Sequence, residues 1–265
     1  MNLAEFKIIF WWEWIHRFLG RLIGIFFFIP LIYFVLKKGI NNTKSLIFIF
    51  SLICFQGFLG WFMVKSGLIN RVDVSHFRLS MHLTTAFVIL SLILWQILKC
   101  KNLYMNESHF IKYNLPLIFL LIIFLQIIFG AFVSGMDAGK IYNTWPLMGN
   151  NYFPDDNIFL NLFNIDALSD PSLVQFIHRN LAYLISFLFF FILFKVYKNK
   201  ISSLYKSVNV LGFFIILQVL LGIFTLLYGA QILVASMHQI SSIFLVASSI
   251  YFLFINTKTN SQLSS

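Results

Sequence analysis

The chain has 265 residues, 60% of them hydrophobic and only 11% charged. Charged residues make up about a quarter of an ordinary soluble domain, so this composition excludes a water-soluble globular protein and indicates a polytopic membrane protein. The formal net charge is +10, but its placement gives no sign of a nucleic-acid partner. Lys37, Lys38, Lys44, Lys99, Lys101, Lys112, Lys195, Lys198, Lys200, Lys206 and Lys258 fall on one side of the apolar runs, and Asp73, Asp137, Asp155, Asp156, Asp166 and Asp170 on the other. That asymmetry is the positive-inside pattern, which puts the lysine loops in the cytoplasm or matrix.

In chain order, seven apolar runs are long enough to cross about 30 Å of hydrocarbon: approximately 14–36, 45–64, 79–98, 114–133, 174–197, 207–228 and 234–256. None reads as a cleavable signal peptide, and no alternating pattern suggests a β-barrel. The lysine-side loops are short. On the acidic side, 65–78 is a medium loop and 134–173 a long one rich in Gly, Pro and Asp, and loops of that length are usually functional. Cys54 lies inside an apolar run and Cys100 in a lysine loop, so neither is placed for an external disulfide.

The runs repeat. Ile15-His16-Arg17 recurs as Ile177-His178-Arg179 and Gln56/Gly60 as Gln218/Gly222, both at an offset of 162, while Met81-His82 recurs as Met237-His238 at 156. Two independent motifs at one offset indicate a duplicated all-α fold of two four-helix-bundle halves, residues 1–113 and 114–265, the second including loop 134–173. Run 114–133 carries Gln126 and Gly130, the same Gln-x-x-x-Gly spacing. The first half has no counterpart of that run, so the repeat predicts seven helices of an expected eight, with one further helix before residue 1.

The repeat also marks four histidines, His16, His82, His178 and His238, each near the start of a run that enters from the outer face. Their expected depth is about one turn inside the boundary. Ionisable residues at such positions usually mark function. Imidazoles facing each other across a bundle can ligate a heme iron from both sides. Gly20, Gly24, Gly57, Gly60, Gly130, Gly212 and Gly222 offer room for a macrocycle, and Arg17, Arg78 and Arg179 are candidates to meet its propionates. His76 and His109 have no repeat partner and read as solvated loop residues. A zinc site is disfavoured, because no cluster of Cys, Asp or Glu accompanies the histidines.

Glu13 breaks the symmetry, since its counterpart is the neutral Gln175. An acid in one half only suggests that one site performs chemistry while the other carries electrons. The competing reading is an acid placed at a helix start to suit the macrodipole.

Three features together resemble heme A synthase, in its alphaproteobacterial and mitochondrial form, over the chain to about residue 256. They are Glu13-x-x-His16-Arg17; the segment Gln56-Gly57-Phe58-Leu59-Gly60-Trp61-Phe62-Met63-Val64-Lys65-Ser66-Gly67-Leu68; and Asp137-Ala138-Gly139 followed by Tyr142-Asn143-Thr144-Trp145-Pro146-Leu147-Met148. The resemblance implies an eight-helix enzyme that oxidises the C8 methyl of heme O to the formyl of heme A by successive hydroxylations with water as oxygen source. It implies His16 and His82 as ligands of the substrate heme, His178 and His238 as ligands of a heme b cofactor, and Glu13 as the catalytic glutamate. It further implies a heme O synthase and an electron acceptor as partners, and a bacterial inner membrane or, in a eukaryote, the mitochondrial inner membrane. Homo-oligomerisation is left open. Loop 134–173 contains no Cys, which fits the subgroup without an outer-loop cysteine pair. The alternative is a di-heme b-type electron-transfer cytochrome with no chemistry on the macrocycle. A repeat-built transporter is disfavoured, since the two halves share one membrane orientation.

Overall fold

The computed structural model describes residues 2–67, 74–101, 111–112 and 114–261; Asp73, His109 and Leu68 lie outside the described residues. Seven long α-helices are described: α1 (Leu3–Lys38), α2 (Lys44–Gly67), α3 (His76–Cys100), α4 (Asn114–Gly135), α5 (Pro171–Lys198), α6 (Ser202–Leu227) and α7 (Ile232–Ser261). All seven are long and apolar enough to cross a membrane, so the chain is an all-α, multi-pass membrane protein. The described residues contain no strand, only an isolated bridge between Met148 and Asn151.

Most helices overrun the expected spans, because capping and polar residues continue a helix past the hydrocarbon. α5 begins with Pro171 behind the N-cap Asp170, whose carboxylate accepts from the Leu173 N–H; proline suits the first helical turn because its missing N–H has no helical partner there. α1 differs most from expectation. Asn2 and Glu5 form a reciprocal capping box, so the helix starts at Leu3 rather than near residue 14. Its 36 residues span about 54 Å at 1.5 Å per residue, well over the ~30 Å of hydrocarbon. Counted back from Lys37 and Lys38 in the last turn, a span of about 20 residues reaches the Trp14–Phe18 region. There Trp11 meets Trp14 edge-on and Trp14 stacks on Phe18, in the kind of aromatic belt that marks a membrane interface.

The chain divides into two compact units, residues 1–69 and 70–265. In the first, α1 packs on α2, with Phe27 and Phe28 stacked on Phe50. In the second, α4 packs on α5, α5 on α6, α6 on α7, and α7 back on α4, while α3 lies against α4 and α7. These contacts close a four-helix ring in which α5 and α7 stand diagonally. Packing and sequence repetition partition the chain by different criteria: α3 precedes the repeat boundary, yet it belongs to the second compact unit.

The core of the second unit lies in its lysine-side half. It comprises Phe119 and Ile123 of α4, Ile185, Phe189, Ile192 and Val196 of α5, Leu204, Val208, Leu211 and Ile215 of α6, and Val246, Ile250, Phe252 and Leu253 of α7. Near that end the buried Asn256 amide donates to the Ile111 carbonyl at 2.9 Å and accepts the Ile111 N–H at 3.0 Å, so neither buried polar group is left without a partner. Toward the outer end a smaller cluster forms around Phe129, Phe132 and Val174. Close packing at one end of the bundle leaves the other end to polar side chains and glycine.

Candidate functional site

His178 is in the second turn of α5 and His238 in the second turn of α7. They lie three and two residues further along their helices than expected, because α5 and α7 start at Pro171 and Ile232 rather than near 174 and 234. The sequence spacing did not assign any role to the glutamines, and the structure does. Gln126 Nε2 on α4 donates to the backbone carbonyl of His178 at 3.1 Å, and Gln218 Nε2 on α6 donates to that of His238 at 3.0 Å. One turn beyond each glutamine, on the same helix face, sits a glycine. A Cβ on Gly130 would come within 3.2 Å of His178 Cε1, and one on Gly222 within 3.1 Å of His238 Cε1. Each imidazole thus fills the space a side chain would have taken. Among the other glycines considered, Gly20, Gly24 and Gly57 face open space and Gly212 meets Phe189.

The two cradles differ in detail. The Ser241 hydroxyl donates to Gln218 Oε1 and to the His238 carbonyl, which fixes the Gln218 amide. Gln126 Oε1 is buried with no hydrogen-bond partner, and Gln126 Nε2 also lies 3.2 Å from His178 Nε2. An amide N–H already aimed at a carbonyl must donate to that ring nitrogen too. The arrangement therefore selects the tautomer with the proton on Nδ1 and the lone pair on Nε2. Nδ1 of both His178 and His238 is buried without a hydrogen-bond partner.

Outside the bundle, residues 137–170 form a structured cover fastened to α5. The Arg179 guanidinium donates to the carbonyls of Tyr142 (2.9 Å), Thr144 (2.9 Å) and Leu147 (3.2 Å). The buried Gln175 amide donates to Tyr142 as well, at 3.1 Å. Asn143 ties the loop to the end of α6 by donating to the Leu226 carbonyl at 2.9 Å. Thr144 closes the turn by donating to the Leu147 carbonyl and accepting from the Gly149 N–H, and Met148 is buried. Each residue of the Tyr142–Met148 motif outside Trp145 and Pro146 thus has a structural duty. A second attachment centres on Asp156, which accepts from Ser172 (2.6 Å), Tyr142 (3.1 Å) and Asn157 (3.3 Å). Burial pushes the Asp156 carboxyl up, but the hydrogen bonds from Ser172, Asn157 and Tyr142 outweigh it and leave the group below its ordinary value. Burial and the bond to Asp156 raise the Tyr142 phenol.

Arg179 therefore spends its terminal nitrogens on the loop, leaving Nε buried without a partner. Arg78 and His82 are half-buried on α3. His76 corrects an expectation: it is not a loop residue but the first residue of α3, half-buried, with its ring against Phe77 and Phe132. Gly135 permits this, since a Cβ there would lie 2.9 Å from His76 Cα.

In the first unit, Glu13, His16 and Arg17 are exposed on α1. Glu13 and Arg17 form an ion pair one turn apart. Glu13 is the eleventh residue of its helix, and the first-turn acid is Glu5. The macrodipole acts within the first turn, so it does not account for Glu13.

Two histidines on diagonal helices of a membrane-spanning bundle, each laid against a glycine, and an outer loop fastened to α5 and α6 define a multi-pass helix-bundle membrane protein. The matching family model gives the particular family: the chain belongs to the COX15-CtaA family of cytochrome oxidase assembly proteins, matched over residues 1–250. It is 44% identical to the heme A synthase of Pelagibacter ubique over 98% of this chain and 76% of that protein. It is 40% identical to the heme A synthase of Flavobacterium johnsoniae (94% and 75%) and 41% identical to that of Rickettsia felis (96% and 77%). The chain spans about three quarters of the length of these relatives.

The donor set fits a heme. The His178 tautomer leaves the Nε2 lone pair for iron once the Gln126 contact is released, and each imidazole lies where glycine has cleared the neighbouring helix.

Proposed function

We propose that this protein is a heme A synthase of an energy-transducing inner membrane, acting on heme O and supplying heme A for cytochrome oxidase assembly. The observation that carries the reading is the exchange of Glu13 for Gln175 within an otherwise repeated Ile-His-Arg motif, in a chain whose similar proteins are heme A synthases. His178 of α5 and His238 of α7 would hold a heme b. When bound, it supplies one-electron redox chemistry. His16 of α1 would ligate heme O, the substrate.

Oxidation of the C8 methyl proceeds as CH3 + H2O → CH2OH + 2H+ + 2e−, then CH2OH + H2O → CH(OH)2 + 2H+ + 2e−. Loss of water from the diol leaves CHO. Four electrons pass to an external acceptor and four protons are released. Arg17 orients the Glu13 carboxylate, which accepts a proton as a C–H bond gives way to C–O. The outer loop, clasped by Arg179 and Gln175, covers the outer end of α5, and Arg17, Arg78 and Arg179 are candidates to meet propionates.

Expressing the protein with a source of heme O and extracting its pigments tests this reading. The expected extract contains heme b together with hydroxylated or formyl heme. An extract with heme b alone would leave a di-heme b-type electron carrier instead.

A further inference from the structure

We propose that Gln126 and Gln218 are positioning residues for the heme b ligands, each setting the rotation of its histidine from the preceding helix. This rests on the heme b reading of His178 and His238 above. Each glutamine and the glycine one turn later present a two-point template on one helix face. The amide holds the histidine's backbone carbonyl (3.1 and 3.0 Å), and the bare glycine backbone receives the ring (Cε1 within 3.2 and 3.1 Å of a Cβ built there). A carbonyl has two lone pairs, so it accepts this bond without surrendering its helical one. Holding the carbonyl fixes the rotation of α5 or α7 at the histidine, and the slot then limits the ring to few orientations.

A plain interhelical polar contact would account for one such bond, since Gln commonly joins membrane helices. Here the same residue type at the same spacing, on two different helix pairs, reaches the carbonyl of the histidine both times. The spacing recurs at Gln56 and Gly60 of α2. The two templates are not equally rigid. Ser241 locks the Gln218 amide, whereas Gln126 also reaches the His178 ring. It must give up the ring, but not the carbonyl, when that nitrogen takes iron.

The test is Gln126→Met and Gln218→Met in the full chain, which keep side-chain length but remove the amide donor. The readouts are the low-spin ferric g-values, which depend on the angle between the two imidazole planes, and the heme b midpoint potential. Both variants are expected to retain heme b with shifted g-values and a shifted potential, while Gln96→Met on α3 keeps the parent spectrum. Gly130→Ala and Gly222→Ala, which push a methyl against the ring, are expected to shift the g-values too and serve as the test if a Met variant fails to fold. Parent g-values and potential in the folded variants would overturn the proposal. A parent protein with no bis-imidazole signal at all would instead remove the heme b reading on which it rests.

Discussion

α1 and α5 carry the same Ile-His-Arg triplet 162 residues apart, yet the flanking side chains have opposite duties. In α5 the residue one turn before the histidine is Gln175, 2% exposed, and it donates to the Tyr142 carbonyl to which Arg179 also donates. In α1 the corresponding Glu13 and Arg17 are exposed and bond to each other. A carboxylate in the α5 position would face a carbonyl oxygen with no proton to offer. A neutral amide in the α1 position would bring no base. The difference teaches that one side chain separates the two copies of the triplet: in α5 it fastens a loop, and in α1 it is an exposed ionisable group paired with Arg17 of its own helix face.

The comparison is most severely tested by removing the histidines. His178→Ala or His238→Ala is expected to abolish bound heme b, read from the visible spectrum of the purified protein, whereas a spectrum unchanged in both variants would detach α5 and α7 from any cofactor. Next in size, Glu13→Gln should lower the yield of oxidised heme by roughly 10²–10⁴-fold, the usual contribution of a general acid or base, while heme binding persists. Undiminished product would leave the α1 acid without a catalytic role.

The reciprocal change, Gln175→Glu, is expected to cost about 3 kcal/mol, because a buried group loses its hydrogen bond and meets a carbonyl. Faster limited proteolysis within 142–157 would report the released loop, and an unaltered digestion pattern would break the contrast with α1. Smallest is Ser172→Ala, which removes one bond to Asp156 and should weaken the loop attachment by about 1 kcal/mol. The same bond sets a pH dependence. The Asp156 carboxyl is depressed in the folded state, so its contribution is complete above the ordinary aspartate range near 4 and is lost as the pH falls through the lower folded value. Proteolysis of the loop should be flat from pH 5 to 8 and rise only in stronger acid.

Much of this was legible in the residues. Apolar run length located all seven helices, because crossing hydrocarbon imposes a length that composition alone reveals. Helix ends were misplaced where capping, not hydropathy, decides them, as at Asn2 and Asp170. His76 was misread because the apolar run begins at Leu79, whereas the helix starts at His76 itself; the glycine that lets it pack lies on α4. The spacing of Gln126 and Gln218 was visible, but their partners lie on the next helix, and nothing in a local pattern says which backbone oxygen an amide will meet.

By itself the sequence determined the membrane class, the repeat, the four histidines and the Glu13–Gln175 exchange. All of these follow from local composition and spacing. The diagonal placement of α5 and α7, the glutamine–glycine cradles and the use of Arg179 as a loop clasp came only with the packed fold. Each depends on groups brought together across helices, where a buried polar atom must find whatever partner the packing supplies.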